Sequence, residues 1–215
     1  PAGLITQALK THAPAVKSIG LCNVPWNTRI EIAGALNVAA STVEFDYVGL
    51  NHLSWIRGVS VNGVDRSPEA IAAFRGLTIN TATPGDSPAW VQGTIDYLQA
   101  IPNYYLLYYY EEKAWIDFQR NNPTRASEVM KIEDVLLEKF ADETLVTKPV
   151  ELMERGGAYY SDSAAELMAD IHNDAGTVHI VNTLNNGAVH GFPDDAVMEL
   201  PSIITKDGAR SISSN

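Results

Sequence analysis

The sequence predicts a mixed α and β domain whose helices and strands do not alternate regularly. Three observations carry that prediction. Apolar residues recur at helical spacing in several stretches, as in Ser127 to Phe140, where Val129, Ile132, Leu136 and Phe140 share one face. β-branched and aromatic runs occur elsewhere, notably Val43 to Leu50 and His52 to Val61, and the Asn62-Gly63 pair that follows marks a turn. No G-x-G-x-x-G fingerprint links a strand to a helix, so a doubly wound nucleotide-binding sheet is not indicated in these residues. With 215 residues, 46% of them hydrophobic, the chain can fill a core and is long enough for one large domain or two small ones.

The elements follow in order. Pro1 to about Lys10 reads as a helix, with Pro in its first position and Leu4, Ile5 and Leu9 on one face. Lys17 to Cys22 is a short strand-like run. Thr28 to Ala40 reads as a helix capped by Asn27. After the two strand-like runs, Ser67-Pro68-Glu69 opens a short helix. Trp90 to Leu98 and Tyr104 to Trp115 read as helices separated by Ile101-Pro102. Ser163-Ala164-Ala165-Glu166 has the form of a capping box and predicts a helix from Ser163 to about Asn173. Thr177 to Thr183 and Ala196 to Leu200 are predicted strands, with a turn at Asn185-Asn186-Gly187. The tail from Gly208 to Asn215 is expected to fray.

Composition narrows the function. Fifteen basic against 26 acidic residues give a formal net charge of −11, which argues against nucleic acid as a partner, since that binding needs clustered Lys and Arg. A small anionic substrate stays open, because a few placed arginines suffice for one phosphate. No apolar run is long enough to span a bilayer, and the first residues lack the pattern of a signal peptide, so no membrane partner is expected. A single cysteine rules out an internal disulfide and fits a reducing cytoplasm.

Four places could carry chemistry. Cys22 ends an apolar run before a polar turn; it reads either as a small buried hydrophobe or as a metal-binding thiolate at a strand end. His52 ends a second such run, after Gly49-Leu50-Asn51, and reads as structural or as an imidazole ligand to the same divalent ion. Five of the nine tyrosines lie between Tyr104 and Tyr110, as aromatic packing or as the source of a tyrosine base. Arg155 precedes Gly156-Gly157 and could bind an anionic substrate, or the two glycines could simply lead into the next helix.

The order of these motifs is more specific than any one of them. Cys22-Asn23-Val24-Pro25, Gly49-Leu50-Asn51-His52, Tyr105-Leu106-Leu107-Tyr108-Tyr109, Arg155-Gly156-Gly157-Ala158, Asn186-Gly187-Ala188 and Asp194 to Pro201 together resemble glycoside hydrolase family 4 over nearly the whole chain. The Cys-Asn-x-Pro form resembles the 6-phospho-β-glucosidases of that family. The two-carboxylate scheme of most glycosidases does not apply to the family. The resemblance implies the C-terminal domain of a lactate/malate dehydrogenase-like fold, α+β with a mixed antiparallel sheet and several helices. It places the NAD-binding Rossmann domain outside this chain, so that the fragment alone is expected to be inactive. It implies that NAD oxidises C3 of a 6-phospho-β-glucoside, that a base removes the C2 proton, and that the glycosidic bond breaks by elimination. It further implies Cys22 and His52 as ligands of a divalent metal, manganese(II) above others; Tyr105 as the base; and Asn23, Asn51 and Arg155 as substrate contacts. A homo-oligomer is expected. An α-glycosidase or galactosidase of the same family, or a non-catalytic binding or oligomerisation module, are the alternative readings.

Overall fold

The computed structural model describes residues 2–76, 92–157 and 159–213. Helix α1, Ala2–His12, opens the described chain, and α2, Val24–Leu36, follows. The second helix starts four residues before the predicted Thr28. Pro25 sits in its first turn, where a missing N–H costs nothing, and the cap is Asn23 rather than Asn27. It ends at Asn37, whose left-handed backbone (φ 53°) returns its N–H to Ala33 and Gly34.

Strands β1, Val43–Leu50, and β2, Leu53–Val61, form an antiparallel hairpin with Asn51 and His52 as its two-residue loop. A register shift falls between Asp46 and Tyr47. On its other edge β2 pairs with β3, Val64–Asp65, and with β4, Ile101–Pro102. The turn at Asn62-Gly63 lies between β2 and β3, with both residues at positive φ. Alternate residues of β1 (Val43, Phe45, Tyr47) join Ile56, Val59 and Val61 of β2 in the main core. Ile32 and Ala33 of α2 and Ala70, Ile71 and Phe74 of α3, Ser67–Gly76, also belong to it.

The middle is helical. Of the predicted Trp90 to Leu98 helix, α4, Gln92–Leu98, is described, and Trp90 lies outside the described residues. The predicted Tyr104 to Trp115 helix is broken. A 3-10 turn at Tyr104–Leu106 leads into α5, Leu107–Tyr110, and the chain bends at Glu111 before α6, Glu112–Asn121. Next come α7, Arg125–Phe140, capped by Thr124, and α8, Glu151–Arg155. Helix α9, Tyr160–Asn173, begins three residues before the predicted start, so Ser163 is a buried residue of its first turn and not its cap.

A second antiparallel sheet closes the chain in the order β5, Val178–Leu184; β6, Val197–Thr205; β7, Gly208–Ser211. The expectation of a frayed tail fails at β7: Gly208 and Arg210 of that segment pair with Thr205 and Ile203. The Lys17 to Cys22 run is not a strand either. A single bridge, Gly20 with Asn182, ties it to β5, and one bridge does not extend into a ladder. Among the described residues, no helix is long and apolar enough to cross a membrane.

Candidate functional site

The two ends that the motifs singled out meet in space. Cys22 lies just before α2 and is buried; His52 is the second residue of the β1–β2 loop. Cys22 Sγ and His52 Nε2 are 3.4 Å apart. A backbone φ of 68° puts His52 in the left-handed region, a conformation that costs a non-glycine residue about 1–2 kcal/mol. The fold holds that strain where the imidazole meets the thiol, as functional sites often do. Gly49, just before the loop, has a φ of 144°; a Cβ there would collide with the Leu53 carbonyl and come within 2.5 Å of Ser54 Cα. The hairpin therefore closes tightly enough to present His52 only because position 49 has no side chain.

These residues open into a cleft of about 490 Å³, lined by α1, by the segment from Ser18 to Cys22, and by Asn51, His52 and Tyr160. That volume lies within the range of about 300–1,000 Å³ usual for small-molecule sites. The Tyr105 ring stacks on the His52 ring at a centroid distance of 4.1 Å and an interplanar angle of 16°. Asn103 positions Tyr105, its side chain accepting the Tyr105 backbone N–H at 3.1 Å. Tyr108 lies further along the aromatic cluster, 6.1 Å from Tyr105 between centroids, and Tyr109 is exposed. Asn23 is buried beside Cys22, and its backbone N–H serves the Tyr160 hydroxyl.

Electrostatics at the pair favour neutral groups. Burial, and then the charge of Glu199, push the Cys22 thiol up, while the Val24 N–H and the Asn51 and Tyr160 side chains oppose this. Burial lowers the His52 imidazole below its ordinary value, leaving a neutral ring able to offer a lone pair. The Tyr160 hydroxyl is pushed up to about 12, by burial first and then by Cys22 beside it.

The donor set fits a divalent cation. With ligand bonds of about 2.0–2.3 Å and angles of about 90–110°, a sulfur and an imidazole nitrogen on one ion lie about 3.1–3.6 Å apart, and the observed 3.4 Å falls within that interval. Asn51 adds a buried amide oxygen with no hydrogen-bond partner among the described residues. A second gathering of possible ligands, Glu166 and Asp170 of α9 with His179 of β5, is differently made. Asp170 Oδ2 already accepts from Thr177 Oγ1 and from His179 Nε2, both at 2.6 Å, and the charge of Arg29 faces Glu166.

Arg155 is not gathered with the others. It ends α8, and its guanidinium is paired with Glu133 of α7 through Nε at 3.0 Å and Nη2 at 2.5 Å. Ala158, from the same motif, lies outside the described residues. Just beyond it, the chain brings Tyr160 to the Cys22 sulfur, a contact that residue type alone does not single out. Glu199 is likewise absent from the sequence-predicted site. It is fully buried in β6 and accepts from Tyr47 at 2.7 Å, Asn51 at 2.9 Å and Asn182 at 3.1 Å. A lone acid within Val197-Met198-Glu199-Leu200 is the available signal.

The family model described as "Family 4 glycosyl hydrolase C-terminal domain" matches residues 47–215. The 6-phospho-beta-glucosidase of Thermotoga maritima is 39% identical over 213 residues, covering 99% of this chain and 50% of the relative. Its structure with manganese, NAD+ and glucose-6-phosphate superposes with a TM-score of 0.87, over 99% of this chain and 49% of that one. A probable 6-phospho-beta-glucosidase of Bacillus subtilis is 36% identical over 220 residues, covering 99% of this chain and 49% of its own. A lactate dehydrogenase from a Medee basin deep-sea metagenome library, 14% identical with a TM-score of 0.51 and covering 100% of this chain and 53% of that one, shares the fold. The chain thus spans about half the length of the curated relatives it matches.

Proposed function

Because the chain belongs to family 4 of the glycosyl hydrolases, we propose that it is the substrate- and metal-binding part of a 6-phospho-β-glucosidase that uses NAD and a divalent metal. The observation that carries this reading is the Cys22–His52 pair at 3.4 Å with Tyr105 stacked on the imidazole. The two relatives described, at 36% and 39% identity, both bear the 6-phospho-beta-glucosidase name. The hydride-accepting NAD domain is supplied by residues outside this chain, so residues 1–215 alone do not turn over substrate. The single free cysteine supports action in a reducing cytoplasm. The exposed Met130, Leu137 and Phe140 of α7 support assembly into a homo-oligomer.

Cys22 and His52 would hold the metal, manganese(II) by resemblance, which supplies Lewis-acid polarisation of the sugar C2 and C3 oxygens, and NAD supplies the hydride acceptor. The chain's own residues do the rest. Tyr105 takes the proton from C2, and its stacking on His52 keeps that hydroxyl close to the sugar held by the pair. Asn51, at the cleft wall, and Asn23, buried beside Cys22, orient the sugar hydroxyls. Arg155 enters as an anion-binding side chain that must first leave Glu133.

The test is turnover by the complete enzyme, with NAD and Mn2+, of paired 6-phospho-α- and 6-phospho-β-glucosides. Hydrolysis of the β-linked member alone, abolished by a chelator, is the expected result. Hydrolysis of the α-linked member overturns the anomeric assignment, and full activity after chelation overturns the metal.

A further inference from the structure

The buried Glu199 touches neither the cleft nor any residue so far given a chemical role except Asn51, yet its two oxygens begin two hydrogen-bond paths. Oε1 accepts from Asn51 Nδ2 at 2.9 Å and from Asn182 Nδ2 at 3.1 Å. Asn51 is the loop residue next to His52. Asn182 exchanges backbone hydrogen bonds with Gly20, N–H to carbonyl at 2.7 Å and carbonyl to N–H at 3.0 Å, and its amide also reaches the Gly20 carbonyl at 3.4 Å. Gly20 is two residues from Cys22. One carboxylate oxygen therefore ties down both segments that carry the thiol and the imidazole.

Oε2 leads the other way. Tyr47 donates to it at 2.7 Å and lies 2.6 Å from Ser54 Oγ, which accepts from Asn103 Nδ2 at 3.1 Å. Asn103 Oδ1 in turn accepts the backbone N–H of Tyr105. Glu199, Tyr47, Ser54 and Asn103 are all buried, so each link acts in a medium of low dielectric, where a satisfied network is rigid and a broken one costly.

On the reading of function given above, we infer that Glu199 is a positioning residue whose Oε1 branch sets the spacing of Cys22 and His52 and whose Oε2 branch sets the register of Tyr105. An isolated buried acid in a strand is expensive to keep. Its retention is explained by three donors that converge on it from β1, from the β1–β2 loop and from β5, elements that no single backbone ladder joins. Apolar side chains could fill the same volume but could not fix three segments relative to one another.

The two branches predict different losses, which a merely structural role would not separate. In the complete enzyme, Asn182→Ala is expected to weaken Mn2+ binding about tenfold, read by the electron paramagnetic resonance signal of free Mn2+, with kcat at saturating Mn2+ within about twofold of wild type. Ser54→Ala is expected to lower kcat about tenfold or more while leaving Mn2+ affinity within about twofold. Glu199→Gln, which no longer offers two charged acceptor oxygens, is expected to show both losses. If Asn182→Ala or Ser54→Ala fails to melt cooperatively, Asn182→Ser and Ser54→Cys, closer in size and polarity, answer the same question. Folded branch variants that lose affinity and kcat in equal proportion, or that lose neither, overturn the inference. A wild-type enzyme that binds no Mn2+ overturns the functional reading and this one with it; wild type that binds Mn2+ and turns over, with branch variants that match it, overturns this one alone.

Discussion

At His52 two demands compete: the side chain must face Cys22, and the backbone must close a two-residue loop at φ 68°. Asparagine tolerates the left-handed region well but offers no imidazole. His52→Asn is therefore expected to leave the melting temperature within about 2–4 °C of wild type and to weaken Mn2+ binding about 100-fold or more; calorimetry of unfolding and of binding reads the two effects separately. A large loss of stability with unchanged affinity would assign His52 to the turn alone. Cys22, His52 and Tyr105 are legible in the sequence because each stands at the end of an apolar run or in an unusual aromatic cluster, and because their order matches a family. Tyr160 and Glu199 are not legible in the same way. Tyr160 is one of two adjacent tyrosines in a glycine-rich stretch, and only the start of α9 at that residue turns it toward the sulfur. Glu199 looks like any acid in a strand until burial on both sides of β6 is known.

At the scale of elements, the hairpin strands are readable from β-branched and aromatic runs, and the structure places β1 and β2 within one residue of those bounds. The helix starts are less so. The capping signals at Asn27 and at Ser163 are real local patterns, yet Pro25 and the buried face of α9 draw both helices further toward the N-terminus. Strand β7 escapes a reading by sequence because Gly208 to Ser211 has weak strand propensity and pairs only at an edge that β6 provides. The hairpin carries a direct test. Gly49→Ala adds a Cβ against the Leu53 carbonyl and Ser54 Cα at a φ of 144°. It is expected to cost about 2–4 kcal/mol in urea unfolding. Wild-type stability in that variant would show that the hairpin can close in another way.

For the whole molecule, the α+β class is legible from patterning, and the dehydrogenase-like arrangement of its two sheets follows from resemblance and is shared with a lactate dehydrogenase structure. The way the sheets meet is not legible: Val48 of β1 packs on Met198 and Leu200 of β6, a contact between segments about 150 residues apart. An ion held by Cys22 and His52, on two segments that only the folded chain brings together, is a ligand of the folded state alone. At Mn2+ a hundredfold above its dissociation constant, linkage adds about 2.7 kcal/mol, or about 5–11 °C in melting temperature for a domain of this size. Differential scanning calorimetry across a Mn2+ titration checks this, and Cys22→Ser is expected to abolish the rise. A melting temperature that does not depend on Mn2+ in the wild-type protein would contradict a site shared by the two segments.

Gly20 has a mechanical consequence. A Cβ at that position would collide with Thr6 Oγ1 of α1 and lie 2.8 Å from Asn182 Cβ. The Thr6 and Asn182 side chains therefore close directly onto the Gly20 backbone, which contributes no side chain of its own. Dense packing of this kind has little slack and passes displacement on. A displacement of α1 would therefore press on the chain leading to Cys22 before it reached any slack.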